Sequence, residues 1–123
     1  YQRIHGLWTS LKADVLPLSI EEHENFFSAT SHLPHLISYA LIKTIKDKDI
    51  DIEKFSAGGL SEFIRLTQSS ETLWSDIFMS NLENIEEDTE AFINNMHELL
   101  EEASKTDSKS LLKKIQLIKK GVS

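Results

Sequence analysis

Residues 19–41 read SIEEHENFFSATSHLPHLISYAL, and positions three or four residues apart in this stretch fall on one face of a helix. Those positions are Ile20, His23, Phe27, Thr30, Leu33, Ile37 and Leu41. Ser19 and Glu22 have the spacing of a capping box, in which the hydroxyl and the carboxylate satisfy backbone N–H groups at the helix start. The stretch therefore predicts a long helical element that begins after Ser19 and ends in the charged segment 43–51.

Pro34 lies inside this helical pattern. Proline has no backbone N–H, and its ring clashes with the carbonyl of the preceding turn. The residue must therefore either kink the helix or lie in the first turn of a new helix capped by Thr30 or Ser31.

The second half of the chain predicts further helices. A short amphipathic segment follows Gly58-Gly59, and Ser69 or Ser70 can cap the next helix. That helix would bury Leu73, Trp74, Ile77, Phe78, Leu82 and Ile85, then continue through Phe92, Met96, Leu99 and Leu100. A final helix would begin near Asp107 or Ser108, with Leu111, Leu112, Ile115 and Ile118 inward and Gly121 as its stop. The helix that runs through Leu100 is rich in glutamate, and the final helix is rich in lysine. The opposite charges suggest that the two helices pack antiparallel, although two separately solvated faces would also explain them.

Composition narrows the class of protein. The chain has 123 residues, 40% hydrophobic and 27% charged, a length and balance that fit one globular domain. Its net charge of −7 makes nucleic acid an improbable partner, and no apolar run is long enough to cross a bilayer. The sequence has no cysteine, which excludes disulfides, thiolate metal sites and cysteine nucleophiles. A cytoplasmic location is the corresponding expectation.

The N-terminal residues have a different pattern from the rest. Residues 4–11 look helical, and the short apolar segment 13–18 predicts a strand. One strand cannot form a sheet alone, so residues 1–18 are expected to be the end of a βα domain. Residues 19–123 would then form a separate all-α domain.

The histidines are the first candidates for chemistry. His32 and His35 are three residues apart and share a helix face, and His23 precedes His32 by nine residues. No glutamate stands three residues before a histidine, so the Glu-x-x-His pairs of di-metal bundles are missing. The alternatives are a metal-binding bundle, which the spacing supports weakly, and partly buried, hydrogen-bonded histidines. We predict no metal site.

Arg65 is the second candidate, because apolar residues flank it. Such an arginine is either paired with a carboxylate or available to bind an anion. Glu62, three residues earlier, is within reach on a helix. The spacing leaves both interpretations open.

The motif Ser31-His32-Leu33-Pro34-His35, the segment 55–59 with its Gly58-Gly59 pair, Arg65, and Trp74 with Ile77 and Asn81 together resemble the C-terminal half of the prephenate dehydrogenase family. The resemblance covers about residues 13–81. It implies a helical dimerisation domain that follows a Rossmann domain, of which residues 1–18 would be the last part. The implied activity is the NAD(P)-dependent oxidative decarboxylation of prephenate to 4-hydroxyphenylpyruvate in tyrosine biosynthesis, by an oxidoreductase.

The resemblance also implies roles for individual residues. Arg65 would bind a substrate carboxylate, and His35 would line the same pocket with His32 and Ser31 beside it. Gly58 and Trp74 would come from the partner subunit, and Glu62 would form an ion pair next to the site. No catalytic or cofactor-binding residue is expected in this chain, so alone it should be inactive.

The implied partners are a second copy of the chain in a homodimer and prephenate or arogenate as substrate, with neither nucleic acid nor membrane. NAD or NADP would bind to the N-terminal domain. The alternative is a non-catalytic helical dimerisation or interaction module that keeps the fold without the chemistry.

Overall fold

The computed structural model describes residues 19–54 and 57–122. All regular secondary structure in these residues is helical, which confirms the all-α prediction for this part of the chain. The elements are α1 (Ile20–Phe27), a π turn (Ser28–His32), α2 (Leu33–Asp47), α3 (Gly59–Thr67), α4 (Glu71–Ser80), α5 (Leu82–Ala103) and α6 (Ser108–Lys119). The helix expected at 4–11, the strand expected at 13–18 and the domain boundary after residue 18 lie outside the described residues.

The chain divides into two compact units, one ending at Glu86 and one beginning at Glu87. Within the first unit, α2 packs against α3 and continues the helical path of α1 through the π turn. None of the described helices is long and apolar enough to cross a membrane.

The predicted capping box at the start of α1 is present. The Ser19 hydroxyl accepts a hydrogen bond from the Glu22 backbone N–H at 3.1 Å, and the Glu22 carboxylate accepts one from the Ser19 N–H at 3.4 Å. Each of the two side chains therefore satisfies a backbone donor that the helix start leaves without a partner.

Pro34 follows a widened turn and does not start a separately capped helix. The backbone remains helical through residues 28–32, and the Leu33 N–H donates to the Ser28 carbonyl five residues back. Of the two alternatives, the new helix capped by Thr30 or Ser31 is therefore wrong, and the Thr30 hydroxyl donates instead to the Phe26 carbonyl at 2.9 Å. A π turn gives the proline ring room that a regular α turn would deny it.

Asn81 interrupts what the sequence pattern predicts as one continuous helix. Its backbone, at φ −119° and ψ 30°, separates α4 from α5. The predicted cap at Ser70 is confirmed, since its hydroxyl accepts from the Leu73 N–H at 3.2 Å. The break is therefore the part of this region that periodicity missed.

Few large side chains of the first unit are fully covered. Trp74 and Ile85 are buried at 8% and 3% exposure, and two serines are also buried, Ser28 in the π turn and Ser38 in α2. The predicted burial of Leu73 and Leu82 is wrong for the single chain, because both are more than half exposed. Periodicity indicates the apolar face of a helix but not what covers that face.

In the second unit, α5 and α6 contact each other through charged side chains. Asp107 caps α6 by accepting from the Lys109 N–H at 2.9 Å, as predicted. Lys114 contacts Glu98, while Glu102, eight residues before Ser110, accepts a hydrogen bond from that serine. The earlier residue of α5 thus contacts the later residue of α6, and the later residue of α5 contacts the earlier one. The two helices are therefore antiparallel, as predicted.

The apolar side chains of this unit are less covered than periodicity predicts. Several apolar side chains that were predicted to be buried are exposed in the single chain, so that prediction is wrong for Met96, Leu100, Leu112, Ile115 and Ile118. The carboxylate of Glu102 is instead the buried group, at 8% exposure.

We predict that Glu102 makes the second unit sensitive to acid. Its hydrogen bonds from Lys105 and then Ser110 hold the pKa of its carboxyl below the ordinary value, against the opposing effect of burial. A lowered folded-state pKa stabilises the fold above the unfolded-state pKa, and this contribution is lost as pH falls through the folded-state pKa. Glu102→Gln should therefore lower the melting temperature at neutral pH and weaken its fall with acid, measured by circular dichroism.

The matched control is Glu90→Gln, at an exposed position of the same helix. It should leave the acid dependence of the melting temperature close to that of the unmodified protein. An equal effect of the two substitutions would contradict the role of Glu102.

Candidate functional site

The imidazole of His32 contacts the side-chain amide of Asn81, the residue between α4 and α5. The Asn81 side-chain Nδ2 lies 3.2 Å from His32 Nδ1 and 2.9 Å from the Glu24 carbonyl oxygen, to which it donates. The Asn81 amide oxygen accepts from Asn84 Nδ2 at 2.8 Å. Asn81 is 6% exposed, so these bonds satisfy an amide that is shielded from water.

His35 lies flat against the indole of Trp74. The two ring centroids are 3.5 Å apart with 15° between the planes, and His35 Nδ1 is 3.1 Å from the Ser31 carbonyl oxygen. Because a carbonyl only accepts, His35 donates through Nδ1. The stack and the hydrogen bond together fix the orientation of the ring.

His32 meets the same indole at its edge. Its ring centroid is 5.9 Å from that of Trp74, with 79° between the planes. Phe78 extends this aromatic cluster: its ring centroid lies 5.7 Å from that of Trp74 and 6.1 Å from that of Tyr39. The structure thus gathers both histidines of the 31–35 motif around the Trp74 of the same chain. The expectation that the partner subunit supplies this tryptophan is therefore wrong for the contact with His35.

The His32 ring is biased toward its neutral form. Burial is the largest cause that holds its pKa below the ordinary value, followed by the positive potential of His35 and His23. The carboxylate of Glu24 acts in the opposite direction. His32 is therefore suited to donate or accept hydrogen bonds without carrying charge.

Arg65 and Glu62 form an ion pair on α3, as the sequence allows. Arg65 Nε and a terminal guanidinium nitrogen lie 3.1 and 3.0 Å from one Glu62 oxygen, and the two side chains are 67% and 71% exposed. Among the described residues, no hydrogen bond or ion pair joins Arg65 to the two histidines. Because an exposed ion pair contributes little, about 0–1 kcal/mol, an anion could replace Glu62 at low cost.

Gly58 precedes α3 with a φ of 71° and a ψ of −141°. Nothing in the chain lies within 4 Å of the position that a Cβ would occupy there. A glycine at position 58 is thus explained by the positive φ of the backbone and not by close packing within this chain.

The site contains groups that the sequence did not single out for a role. Asn81 contacts His32 and Asn84 donates to Asn81, yet the sequence singled out Asn81 only as part of a family motif. The one local signal was an asparagine inside an otherwise apolar helical pattern. In the described part of the chain, no three His, Asp or Glu residues converge as metal ligands do.

Comparison with known proteins adds a family to this geometry. Residues 19–117 match the family described as "Prephenate dehydrogenase, dimerization domain". The match extends well beyond the segment 13–81 on which the sequence resemblance rests. It therefore includes most of the helical hairpin of the second unit.

Two curated relatives give the same result. A cyclohexadienyl dehydrogenase of Zymomonas mobilis is 33% identical over 82 residues, which cover 63% of this chain and 28% of the relative. A prephenate dehydrogenase of Bacillus subtilis is 24% identical over 115 residues, which cover 91% of this chain and 31% of the relative. The chain thus spans about a third of the length of these relatives.

Two crystal structures of prephenate dehydrogenase from Aquifex aeolicus are similar in fold. One, in complex with hydroxyphenyl propionate and NAD⁺, has a TM-score of 0.78 at 30% identity, covering 86% of this chain and 38% of that one. The other has a TM-score of 0.67 at 29% identity, covering 86% and 39%.

We predict that the His35–Trp74 stack contributes to stability beyond the burial of each ring. A double-mutant cycle of His35→Ala and Trp74→Leu, measured by urea unfolding, should give a coupling free energy of about 0.5–1.5 kcal/mol. The control cycle pairs His35→Ala with Leu73→Ala, at the exposed neighbour of Trp74, and should give a coupling near zero. Equal coupling in both cycles would show that the stack has no energetic meaning.

Proposed function

The chain belongs to the prephenate dehydrogenase family, whose dimerization domain it matches, and from this premise we propose that it forms the substrate side and the dimer interface of an NAD(P)-dependent prephenate dehydrogenase. The observation that carries the proposal is the pair of histidines gathered on Trp74. Two fixed imidazoles on one aromatic surface are suited to a small polar ligand with an unsaturated ring.

The proposed reaction converts prephenate and NAD(P)⁺ to 4-hydroxyphenylpyruvate, carbon dioxide and NAD(P)H. The substrate carries two carboxylates, and one leaves as carbon dioxide while a hydride passes to the nicotinamide. The described residues contain no glycine-rich loop that could hold a dinucleotide. We therefore assign the binding of NAD or NADP to an N-terminal domain of the whole protein, and expect this chain alone to be inactive.

We assign the substrate-binding roles to six residues. Arg65 would exchange Glu62 for a carboxylate of the substrate, in a bidentate contact that a guanidinium favours. His35 and His32 would bind polar groups of the substrate, with Ser31 and Trp74 beside them and Gly58 contributed by the partner subunit. Hydroxyphenyl propionate, bound by the Aquifex aeolicus relative, combines a phenol ring with a carboxylate and matches this chemistry.

We propose that the whole protein acts as a homodimer in the cytoplasm. Large apolar side chains stay exposed in the single chain, among them Leu73 at 54%, Met79 at 73% and Leu100 at 63%. Apolar faces of this kind are typical of interfaces between subunits that do not exist apart. The family's description as a dimerization domain supports this interpretation.

We predict that Arg65→Ala in the whole protein raises KM for prephenate far more than it lowers kcat. A charge-assisted hydrogen bond is worth about 1.5–3 kcal/mol, so kcat/KM should fall roughly 10- to 150-fold. Arg65→Lys should recover part of the loss, because it keeps the charge but not the two-pronged contact. The measurement is reduction of NAD and NADP with prephenate and then arogenate as substrate.

The matched control is Lys43→Ala, which also removes one member of an exposed ion pair between neighbours on a helix. It should leave KM unchanged. Absence of turnover by the unmodified protein with either substrate and either nicotinamide would favour the non-catalytic dimerisation module.

We also predict a dimer in sedimentation at micromolar concentration. Ile118→Lys, at an apolar position 60% exposed in the single chain, should weaken the dimer by placing a charge on the apolar face of α6. Gln116→Lys adds the same charge at an exposed position on a different side of α6 and serves as control. A monomer formed by the unmodified protein would contradict the proposed interface.

A further inference from the structure

The contacts of Asn81 determine which atoms of its amide face which partner. The Glu24 carbonyl oxygen can only accept a hydrogen bond, so the amide atom 2.9 Å away from it is the nitrogen. The same nitrogen lies 3.2 Å from His32 Nδ1 and has a second hydrogen to donate. Because two donors cannot face each other at this distance, His32 Nδ1 carries no hydrogen.

This geometry fixes the tautomer of His32. A neutral imidazole without a hydrogen on Nδ1 carries it on Nε2. His35 has the opposite arrangement, since its Nδ1 donates to the Ser31 carbonyl and its neutral form leaves Nε2 as an acceptor. The two rings therefore offer different groups to a ligand, a donor on His32 and an acceptor on His35.

We propose that Asn81 is a positioning residue that locks His32 in the neutral Nε2–H form, so that His32 serves the substrate as a fixed hydrogen-bond donor and not as an acid or base. The proposal deepens the proposed function and rests on it for the identity of the ligand. Protonation of His32 at Nδ1 would cost the Asn81 hydrogen bond. Protonation of His35 at Nε2 would leave its bond to Ser31 intact.

The surrounding charges act in the same direction. Burial is the largest effect that disfavours a positive charge on His32, and His35 and His23 add to it, while among the described residues Glu24 favours the charge. The backbone carbonyl of Glu24 also accepts a hydrogen bond from the Asn81 amide, which fixes the position of Asn81 relative to Glu24. The neutral state of His32 thus depends on Asn81 together with its buried setting.

The direct test is nitrogen NMR of the whole protein labelled with ¹⁵N-histidine, with the His32 signals assigned through His32→Gln. In the unmodified protein, His32 should show an unprotonated Nδ1 and a protonated Nε2, and should titrate below the ordinary histidine range. In Asn81→Asp the new carboxylate should accept from Nδ1, which raises the pKa of His32 and places a hydrogen on Nδ1. A protonated Nδ1 in the unmodified protein would overturn the proposal.

Asn81→Ala removes the donor without adding a charge, and should produce a mixture of the two tautomers. Ser80→Ala is the control, because the Ser80 hydroxyl donates only to the Ile77 carbonyl at the same helix end. It should leave the His32 signals unchanged. If Asn81→Ala folds and its His32 signals match those of the unmodified protein, Asn81 has no positioning role. If neither Asn81→Ala nor Asn81→Asp folds, the tautomer of His32 in the unmodified protein decides whether the proposal holds.

Turnover separates this proposal from the proposed function. Asn81→Ala should raise KM for prephenate about tenfold and change kcat less, as expected for one lost hydrogen bond to substrate. An inactive unmodified protein with the expected His32 signals would refute the substrate and leave the His32 tautomer standing. An active protein whose KM is insensitive to Asn81→Ala would refute the donor role alone.

Discussion

The arrangement of the first unit depends on one buried amide. Asn81 ends α4, and its side chain donates to the Glu24 carbonyl, which also accepts from the Ser28 N–H at the start of the π turn. The same amide nitrogen reaches His32 at the end of that turn. A single side chain thus ties the break between α4 and α5 to the irregular turn before Pro34. An unsatisfied amide at this depth would cost about 1–3 kcal/mol, so the irregularities depend on each other.

The starts of the helices are determined by local features of the sequence. Ser19, Ser70 and Asp107 start their helices as predicted, because a cap needs only a short side chain at one position. The π turn and the break at Asn81 depend on contacts more than forty residues apart in the sequence, and periodicity carries no information about these. The burial pattern failed for a similar reason. An amphipathic pattern indicates that the apolar face is buried, but not whether the same chain or another subunit packs against it.

The candidate site was partly predictable. The three-residue spacing of His32 and His35 places them on one face, but only the fold shows both against Trp74, which spacing alone assigns to the core. For Arg65 the structure shows the ion pair with Glu62, and its exposure leaves anion binding open as the competing role. Asn81 carries no motif of its own. Its importance comes from the partners that tertiary structure brings to it.

The distribution of charge in the site has a consequence for the proposed reaction. Prephenate brings two carboxylates, whereas the assigned residues supply one permanent cation, Arg65, and a neutral donor, His32. A second cation on the carboxylate that leaves would stabilise the ground state more than the transition state, because its charge disperses as carbon dioxide forms. In the proposed reaction, one guanidinium on the retained carboxylate and uncharged donors elsewhere would hold the substrate without opposing the decarboxylation. A neutral imidazole is also cheaper to bury than a cation, which explains why a half-buried donor should be kept uncharged while the arginine remains in solvent.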